Sequence, residues 1–279
     1  MGKEAVGVGV GVGVGIGGTF QIANQPPKRR LVVAVDGLEK EGKTNFALTA
    51  PGPMTYQNFD IGAEGVIEKF QTSKIIYRAD YGIVITKDDN QATIMEKIGP
   101  AWETFVKDYK IALNQAKGVT KGPVVRSLVW DTGSEGWEVL RLARFGKLTQ
   151  VMPHNYTALN SEYRNLLREV FDTPANMIIL HKLKKEWLND PLTGKGNKTG
   201  NYERAGYADT GFLVQVNVLC WRDKGVKPNP LDPSAGFHVT VQNCRQNPGI
   251  VGLDLEGGMA TFPWLAVNVY PETSLEDWQ

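Results

Sequence analysis

The chain has 279 residues, of which 42% are hydrophobic and 22% charged, and its 31 basic and 30 acidic side chains give a formal net charge of +1. This balance excludes a uniformly basic nucleic-acid coat protein, so nucleic-acid binding has to come from a local patch. No apolar stretch approaches the roughly 20 residues needed to span a bilayer, and the N-terminus lacks the features of a signal peptide. We therefore expect a cytoplasmic protein without membrane association, with one large domain that can carry appendages.

The first 29 residues differ in composition from the rest. Residues 7–15 alternate strictly between glycine and valine, and Pro26 and Pro27 precede the basic residues 28–30. Because ordering so many glycines is costly, we predict a mobile arm and a basic linker over 1–29. The alternative is an arm that pairs with the sheet edge of a neighbouring subunit. The remaining chain is divided into a core at 30–250 and a C-terminal extension at 251–279.

Apolar, β-branched runs alternate with helix-spaced segments along the core. The runs predict strands at 31–35, 55–59, 75–77, 124–130, 177–180, 212–221 and 237–241. Helices are predicted at 45–50, 89–117, 135–145 and 158–171, with Asp89 as N-cap of the second and Pro100 near a break or start within it. Residues 182–211 lack periodicity and predict a long loop. The pattern indicates an α/β fold whose mostly parallel sheet has helices on both faces and antiparallel strands at its C-terminal edge.

A phosphate-binding loop follows the first predicted strand. Residues 37–44 match the pattern G-x-x-x-x-G-K-[ST] at every fixed position. The glycines let backbone N–H groups face phosphate oxygens, Lys43 supplies a charge for the β- and γ-phosphates, and Thr44 offers a hydroxyl to Mg²⁺. The predicted cofactors are therefore ATP and Mg²⁺. The predicted nucleotide-contacting residues are Gly37, Leu38, Glu39, Lys40, Glu41, Gly42, Lys43, Thr44 and Asn45.

Acidic residues follow two of the later predicted strands. Asp131 ends the strand at 124–130 and is the candidate Walker-B carboxylate for Mg²⁺, the alternative being a cap of the next helix. Three carboxylates are candidates for activating water: Glu64, which we prefer, Asp60 and Glu135.

His181 directly follows the apolar strand predicted at 177–180, beside the expected phosphate site. At that position a polar side chain can sense the γ-phosphate, although a lone histidine is more often structural.

Together these residues resemble a known group. The loop carries Glu39 at its third position, as in RecA-type recombinases, and the order of Asp60 and Glu64, Asp131, His181 and the lysine-rich segment is similar to the RecA-like core. More narrowly, the chain resembles phage-encoded AAA ATP-binding proteins that include core-only, RecA-like single-strand annealing proteins. The resemblance covers roughly 31–248, and only the P-loop is a specific motif. An N-terminal helical domain of the RecA type is not recognisable.

The resemblance implies further roles. Glu64 would activate water, His181 would be the sensor, and residues 182–207 would form the mobile DNA-binding loop. Arg245 would be a catalytic residue that reaches the nucleotide of a neighbouring subunit, which implies a homo-oligomeric ring or filament. If the chain is phage-encoded, its compartment would be the host cytoplasm.

The composition of the segment 182–211 supports DNA binding independently of the family resemblance. Cations can follow a phosphate backbone and aromatic rings can stack on bases. Trp187 and Tyr202 lie among the basic residues, whereas Glu186, Asp190 and Glu203 offset the charge, so a solvated polar loop is the alternative. The candidate DNA-binding residues are Lys182, Lys184, Lys185, Lys195 and Lys198, with Arg204 nearby.

The leading hypothesis is an ATPase of DNA recombination or annealing that binds single-stranded DNA. A nucleotide-switched module that binds a replication protein, such as a single-strand-binding protein, is the second hypothesis. A small-molecule kinase is the third, but its lid would be rich in arginine, and Arg204 is the only arginine in 182–211.

Overall fold

The computed structural model describes residues 29–60, 63–147, 151–189, 196–226 and 233–279. Residues 1–28 of the predicted arm and linker (1–29), together with Asp190 and Lys195, lie outside these residues. The described part of the chain contains nine strands: β1 (Val32–Gly37), β2 (Met54–Asn58), β3 (Ile76–Asp80), β4 (Ser127–Asp131), β5 (Asn176–Asn189), β6 (Gly196–Arg204), β7 (Val216–Arg222), β8 (Phe237–Cys244) and β9 (Asp254–Glu256). The α-helices are α1 (Lys43–Leu48), α2 (Gln91–Ala116), α3 (Gly133–Phe145), α4 (Tyr156–Glu169), α5 (Thr210–Leu213) and α6 (Phe262–Val269).

The strands form one sheet in the order β3-β2-β4-β5-β1-β7-β8-β9, with β6 paired to β5. The first six of these strands run parallel to one another, whereas β6, β8 and β9 are antiparallel additions. The prediction of an α/β fold with a mostly parallel sheet is confirmed. Because the carboxyl ends of parallel strands meet at one edge, the residues that directly follow β1, β2 and β4 are brought together there, beside His181 and Lys182 of β5.

Helices cover both faces of the sheet. In β1, Val33 and Val35 belong to one core cluster, together with Phe46 of α1 and Leu265 of α6. Val32 and Ala34 of the same strand belong to the other cluster, which contains residues of α2, α3 and α4. Successive side chains of a strand point to opposite faces, so an unbroken apolar run is what a strand buried on both sides needs. The C-terminal residues also contribute to the first cluster, through Leu255, Phe262 and Leu265.

The long helix α2 differs from its prediction in two details. Its N-cap is Asn90, whose side chain accepts a hydrogen bond from the backbone N–H of Thr93, and not Asp89. Asp89 instead accepts from Thr86 and pairs with Lys97. Pro100 lies inside a continuous helix rather than at a break or a start. None of the helices among the described residues is both long and apolar enough to cross a membrane.

The predicted loop at 182–211 is largely a β-hairpin, and this part of the prediction is wrong. β5 continues past His181 for eight more residues and pairs with β6, from Leu183 opposite Arg204 to Asn189 opposite Gly196. Every side chain described on β6 is exposed except that of Arg204, which is partly buried. A ribbon with water on both faces needs no apolar alternation, which explains why the sequence pattern did not reveal it.

The strand predicted at 212–221 begins later than expected. Residues 210–213 form the short helix α5, and β7 starts at Val216.

Candidate functional site

The predicted P-loop, residues 37–44, connects the end of β1 to the start of α1. Gly42 has a φ of 85°, a left-handed conformation that glycine adopts without strain. A Cβ atom at Gly42 would lie 2.6 Å from Cε2 of Phe237, so the backbone conformation and the packing both require glycine. Lys40 has a φ of 64° and helps to reverse the chain.

The side chain of Lys43 folds back over this loop. Its ammonium donates hydrogen bonds to the carbonyl oxygens of Gly37 (2.8 Å) and Leu38 (2.7 Å). Burial lowers the pKa of Lys43, which carboxylates including Asp131 partly counteract. A partly desolvated cation held only by neutral carbonyls is well suited to bind an anion.

Thr44 and Asp131 meet at the base of the loop. The Thr44 hydroxyl donates to Oδ2 of Asp131 over 2.9 Å, and the Tyr56 hydroxyl donates to the same oxygen. Burial raises the pKa of Asp131, while these two hydrogen bonds act in the opposite direction. The cap of α3 is Thr132, whose hydroxyl accepts from the N–H of Glu135, so the capping alternative for Asp131 is not what the structure shows. Tyr56 was not singled out from the sequence, because an aromatic residue in an apolar strand signals only packing.

Lys43, Thr44 and Asp131 line one cavity of about 760 Å³. Hydroxyl and carboxylate oxygens are ligands that Mg²⁺ accepts, and this ion usually combines one or two of them with phosphate oxygens and water. Thr44 and Asp131 therefore fit the predicted metal site, although no group of three or more His, Cys, Asp or Glu side chains in the described part of the chain forms a metal cage. The lining includes most of the P-loop, from Gly37 to Asn45, and the residues Asp60, Asp131, Thr132, Lys182 and Arg222.

The three candidates for activating water occupy different positions. Asp60 lines the cavity and lies 3.0 Å from the ammonium of Lys182. Glu135, on the first turn of α3, lies 2.5 Å from the same ammonium. Glu64 is exposed and is not part of the cavity lining. The structure thus brings Asp60 and Glu135 together, but not Glu64.

His181 lies behind the cavity wall rather than in it. It is fully buried, and its Nδ1 lies 3.4 Å from the hydroxyl of Ser134. Burial lowers the pKa of His181 well below its usual range, and the neighbouring Arg204 acts in the same direction. The next two residues of β5, Lys182 and Leu183, do line the cavity.

A buried ion pair links the hairpin to the P-loop strand. Arg204, the last residue of β6, donates 2.7 Å hydrogen bonds to both carboxylate oxygens of Asp36, which directly precedes Gly37. Arg204 also donates to Oδ1 of Asn217 over 2.8 Å. The sequence offered no sign of this pair, because its members are 168 residues apart.

Arg245 lies far from the cavity of its own chain. It follows β8, whose last residue Cys244 pairs with Val216, and Val216 in turn pairs with Val33 at the start of β1. The P-loop leaves the other end of β1. The guanidinium of Arg245 donates to the carbonyl of Phe212.

The outer part of the hairpin carries exposed aromatic rings among cations. Trp187 is 56% exposed and Tyr202 is 48% exposed. The ammonium of Lys198 lies 5.0 Å from the centre of the Trp187 ring. Lys184 is paired with Glu203 at 3.1 Å, and Lys185 lies opposite Tyr202 in the ladder.

A second cavity of about 440 Å³ adjoins the first. The two share Asn45 and Arg222, and the second is lined by the aromatic rings of Phe46, Phe70 and Phe237. The guanidinium of Arg222 lies 5.1 Å from the centre of the Phe237 ring.

A comparison of the chain with protein-family models gave no match, and a comparison with curated protein sequences gave none either.

Proposed function

We propose that this chain binds ATP with Mg²⁺ and hydrolyses it. The observation that carries the proposal is the placement of the Thr44 hydroxyl 2.9 Å from the Asp131 carboxylate, beside the ammonium of Lys43 and inside one cavity. If residues 37–44 matched the P-loop pattern by chance, nothing would place the carboxylate of Asp131, from β4, next to the Thr44 hydroxyl.

Each residue has a role in this proposal. The P-loop backbone and Lys43 hold the β- and γ-phosphates, and Thr44 and Asp131 hold the metal. Bound Mg²⁺ would neutralise charge on the phosphate oxygens. Phosphoryl transfer to water depends chiefly on positioning and charge, so a carboxylate that orients the water completes the site. Asp60 lines the cavity and Glu135 pairs with Lys182 at its rim, so these two are the candidates, while Glu64 is the one that the family resemblance favours.

The second cavity supports a place for the nucleoside. Aromatic rings and a guanidinium favour stacking with a planar base, and Asn45 offers hydrogen-bonding groups between the two cavities. The volume of about 440 Å³ is within the usual range for ligand pockets.

We further propose that the chain is a RecA-like, phage-type ATPase of DNA recombination or annealing. The hairpin supports single-stranded DNA as its partner, since Trp187 and Tyr202 offer rings for bases and Lys185 and Lys198 offer cations for phosphates. The separation of Arg245 from its own P-loop supports a role toward a neighbouring subunit in a ring or filament. β3 ends the sheet and carries the exposed Tyr77, which supports the alternative that the arm pairs with that edge.

A nucleotide-switched module that binds a protein, such as a single-strand-binding protein, is the second candidate. The observation in its favour is that acids already pair with two of the predicted DNA-binding lysines: Lys184 with Glu203, and Lys182 with Asp60 and Glu135. Such pairing reduces the net charge available to a nucleic acid.

The test is ATP hydrolysis by the full chain with and without single-stranded DNA, compared with Lys43→Ala. The proposal expects hydrolysis that rises with DNA and is lost in Lys43→Ala. Slow hydrolysis without DNA stimulation, together with no DNA binding at low salt, would favour the protein-binding module. Equal hydrolysis by Lys43→Ala and the unmodified chain would rule out the P-loop site.

A further inference from the structure

Lys182 has a fixed backbone at the rim of the phosphate cavity. In the parallel ladder between β1 and β5 it lies directly opposite Gly37, the first residue of the P-loop. Its backbone N–H donates to the Ser134 hydroxyl over 3.0 Å. The backbone of Lys182 therefore stays on the strand next to the loop that would hold phosphate, whichever way its side chain points.

The ammonium of Lys182 is bound by two carboxylates. It lies 3.0 Å from Asp60, just beyond β2, and 2.5 Å from Glu135, on α3. Burial would lower the pKa of Lys182, but the hydrogen bonds to Glu135 and Asp60 outweigh it and raise the pKa, so the group stays charged. The side chain is 43% exposed, and ion pairs in such surroundings are weak enough to exchange.

Lys43 and Lys182, two of the lysines that line the cavity, therefore have internal partners that a phosphate can replace. Lys43 is held by two carbonyls, and Lys182 by the two carboxylates that are candidates to orient water. A triphosphate brings concentrated negative charge to the same cavity, which is a better partner for an ammonium than a solvated carboxylate.

On the basis of the proposed function, we propose that Lys182 is a phosphate-binding residue that exchanges partners. Without nucleotide it holds Asp60 and Glu135. When a triphosphate enters, its ammonium turns to the terminal phosphate, and the two carboxylates are released to orient the attacking water. This assigns Lys182 to the nucleotide site instead of the DNA-binding group. A diphosphate lacks the terminal phosphate, so Lys182 stays bound to Asp60 and Glu135.

The first test compares Lys182→Met with the unmodified chain in calorimetric titrations with a non-hydrolysable ATP analogue and with ADP, each with Mg²⁺. Methionine keeps the apolar stem and removes the charge. We expect the affinity for the analogue to fall about tenfold or more, the size of one charge-assisted hydrogen bond, and the affinity for ADP to change less than about twofold. Equal losses for both nucleotides, or no loss, would overturn the inference.

The second test measures the competition directly. Asp60→Asn removes one partner of Lys182, so the gain in affinity for the analogue should be larger in the unmodified background than in the Lys182→Met background, where only the repulsion between Asp60 and phosphate is lost. An equal gain in both backgrounds would mean that Asp60 only repels phosphate, and the exchange would be refuted. This readout does not depend on turnover, so a separate role of Asp60 toward water does not confuse it.

The controls separate this inference from the proposed function. Lys110→Met removes an exposed lysine that pairs with Glu169 away from the cavity, and it should bind both nucleotides normally. Thermal unfolding of each variant checks that it is folded. If the unmodified chain binds neither nucleotide, or binds both as Lys43→Ala does, the proposed function fails and this inference with it. Normal P-loop binding with no selective loss in Lys182→Met refutes this inference alone.

Discussion

Arg204 and Asp36 form a bidentate ion pair directly behind the P-loop, with both hydrogen bonds 2.7 Å long. The side chains are 14% and 6% exposed, so water does little to screen them. Removing one partner of such a pair leaves an uncompensated charge in the interior.

We therefore predict that Arg204→Ala lowers the free energy of unfolding by about 3–5 kcal/mol, measured by urea titration. Arg204→Lys should lose less, because a point charge remains but the two-pronged geometry does not. The matched control is Arg29→Ala, whose exposed partner is Asp277, and it should cost less than about 1 kcal/mol. A cost for Arg204→Ala as small as that of the control would contradict the prediction.

Asp131→Asn should separate stability from activity. We expect ATP hydrolysis to fall by about 100-fold or more, the scale of losing one preorganised electrostatic contact. The fold should tolerate the change, because asparagine can still accept the hydrogen bonds from Thr44 and Tyr56 and is not charged.

The same variant has a predicted pH dependence. Burial raises the pKa of Asp131, so the folded state favours the protonated carboxyl. That contribution to stability is complete below the unfolded pKa of about 3.9 and is lost as the pH rises through the higher folded pKa. The stability of Asp131→Asn relative to the unmodified chain should therefore increase from pH 4 to pH 7 in metal-free urea titrations. A difference that is constant with pH would contradict this.

On the hairpin, Trp187→Ala and Lys198→Ala should weaken single-stranded DNA binding in different ways. Loss of the ring removes stacking worth about 1–3 kcal/mol per base, largely independent of salt. Loss of the ammonium should reduce the slope of log affinity against log salt by about one. Fluorescence anisotropy at several salt concentrations distinguishes the two, and Lys107→Ala, on the surface of α2, is the control that should change neither. Unchanged affinity in both hairpin variants would exclude this surface as the DNA site.

If Arg245 acts on a neighbouring subunit, defects in two different chains should complement each other. Lys43→Ala and Arg245→Ala should each hydrolyse ATP poorly alone. In a mixed assembly, some sites combine an intact P-loop from one chain with an intact Arg245 from another, so an equimolar mixture should recover activity. Steady-state hydrolysis across mixing ratios measures this. No recovery, in mixtures shown by native mass measurement to co-assemble, would mean that Arg245 has no role between subunits.

Parts of the site were predictable because they depend on neighbouring residues. Residues 37–44 directly follow one apolar strand, and Asp131 ends another apolar strand. The carboxyl ends of parallel strands share one edge of the sheet, so the strand ends alone predict that Asp131 lies near the loop. The N-cap of α2 is Asn90 and not Asp89, because a shift of one residue decides which side chain reaches the first free N–H groups of the helix. Such boundaries are not fixed by periodicity.

Other parts depend on contacts that no local pattern contains. The partner of Asp36 is distant in sequence, and the hairpin that carries Arg204 lacks an apolar face. Lys182 was assigned to DNA from its neighbours in the sequence, whereas the ladder places it opposite Gly37. Tyr56 contributes one hydroxyl to the site, but in the sequence it lies in an apolar strand and indicates only packing.

The 14 residues of β5 belong partly to the parallel sheet and partly to the hairpin with β6. One end lies in the sheet beside β1, and the other carries Trp187 with its exposed ring. The two proposed ligands would thus bind to a single uninterrupted segment of backbone. Thermodynamic reciprocity then makes a quantitative demand: if DNA changes the affinity for ATP by some factor, ATP must change the affinity for DNA by the same factor. Measuring either number fixes the other.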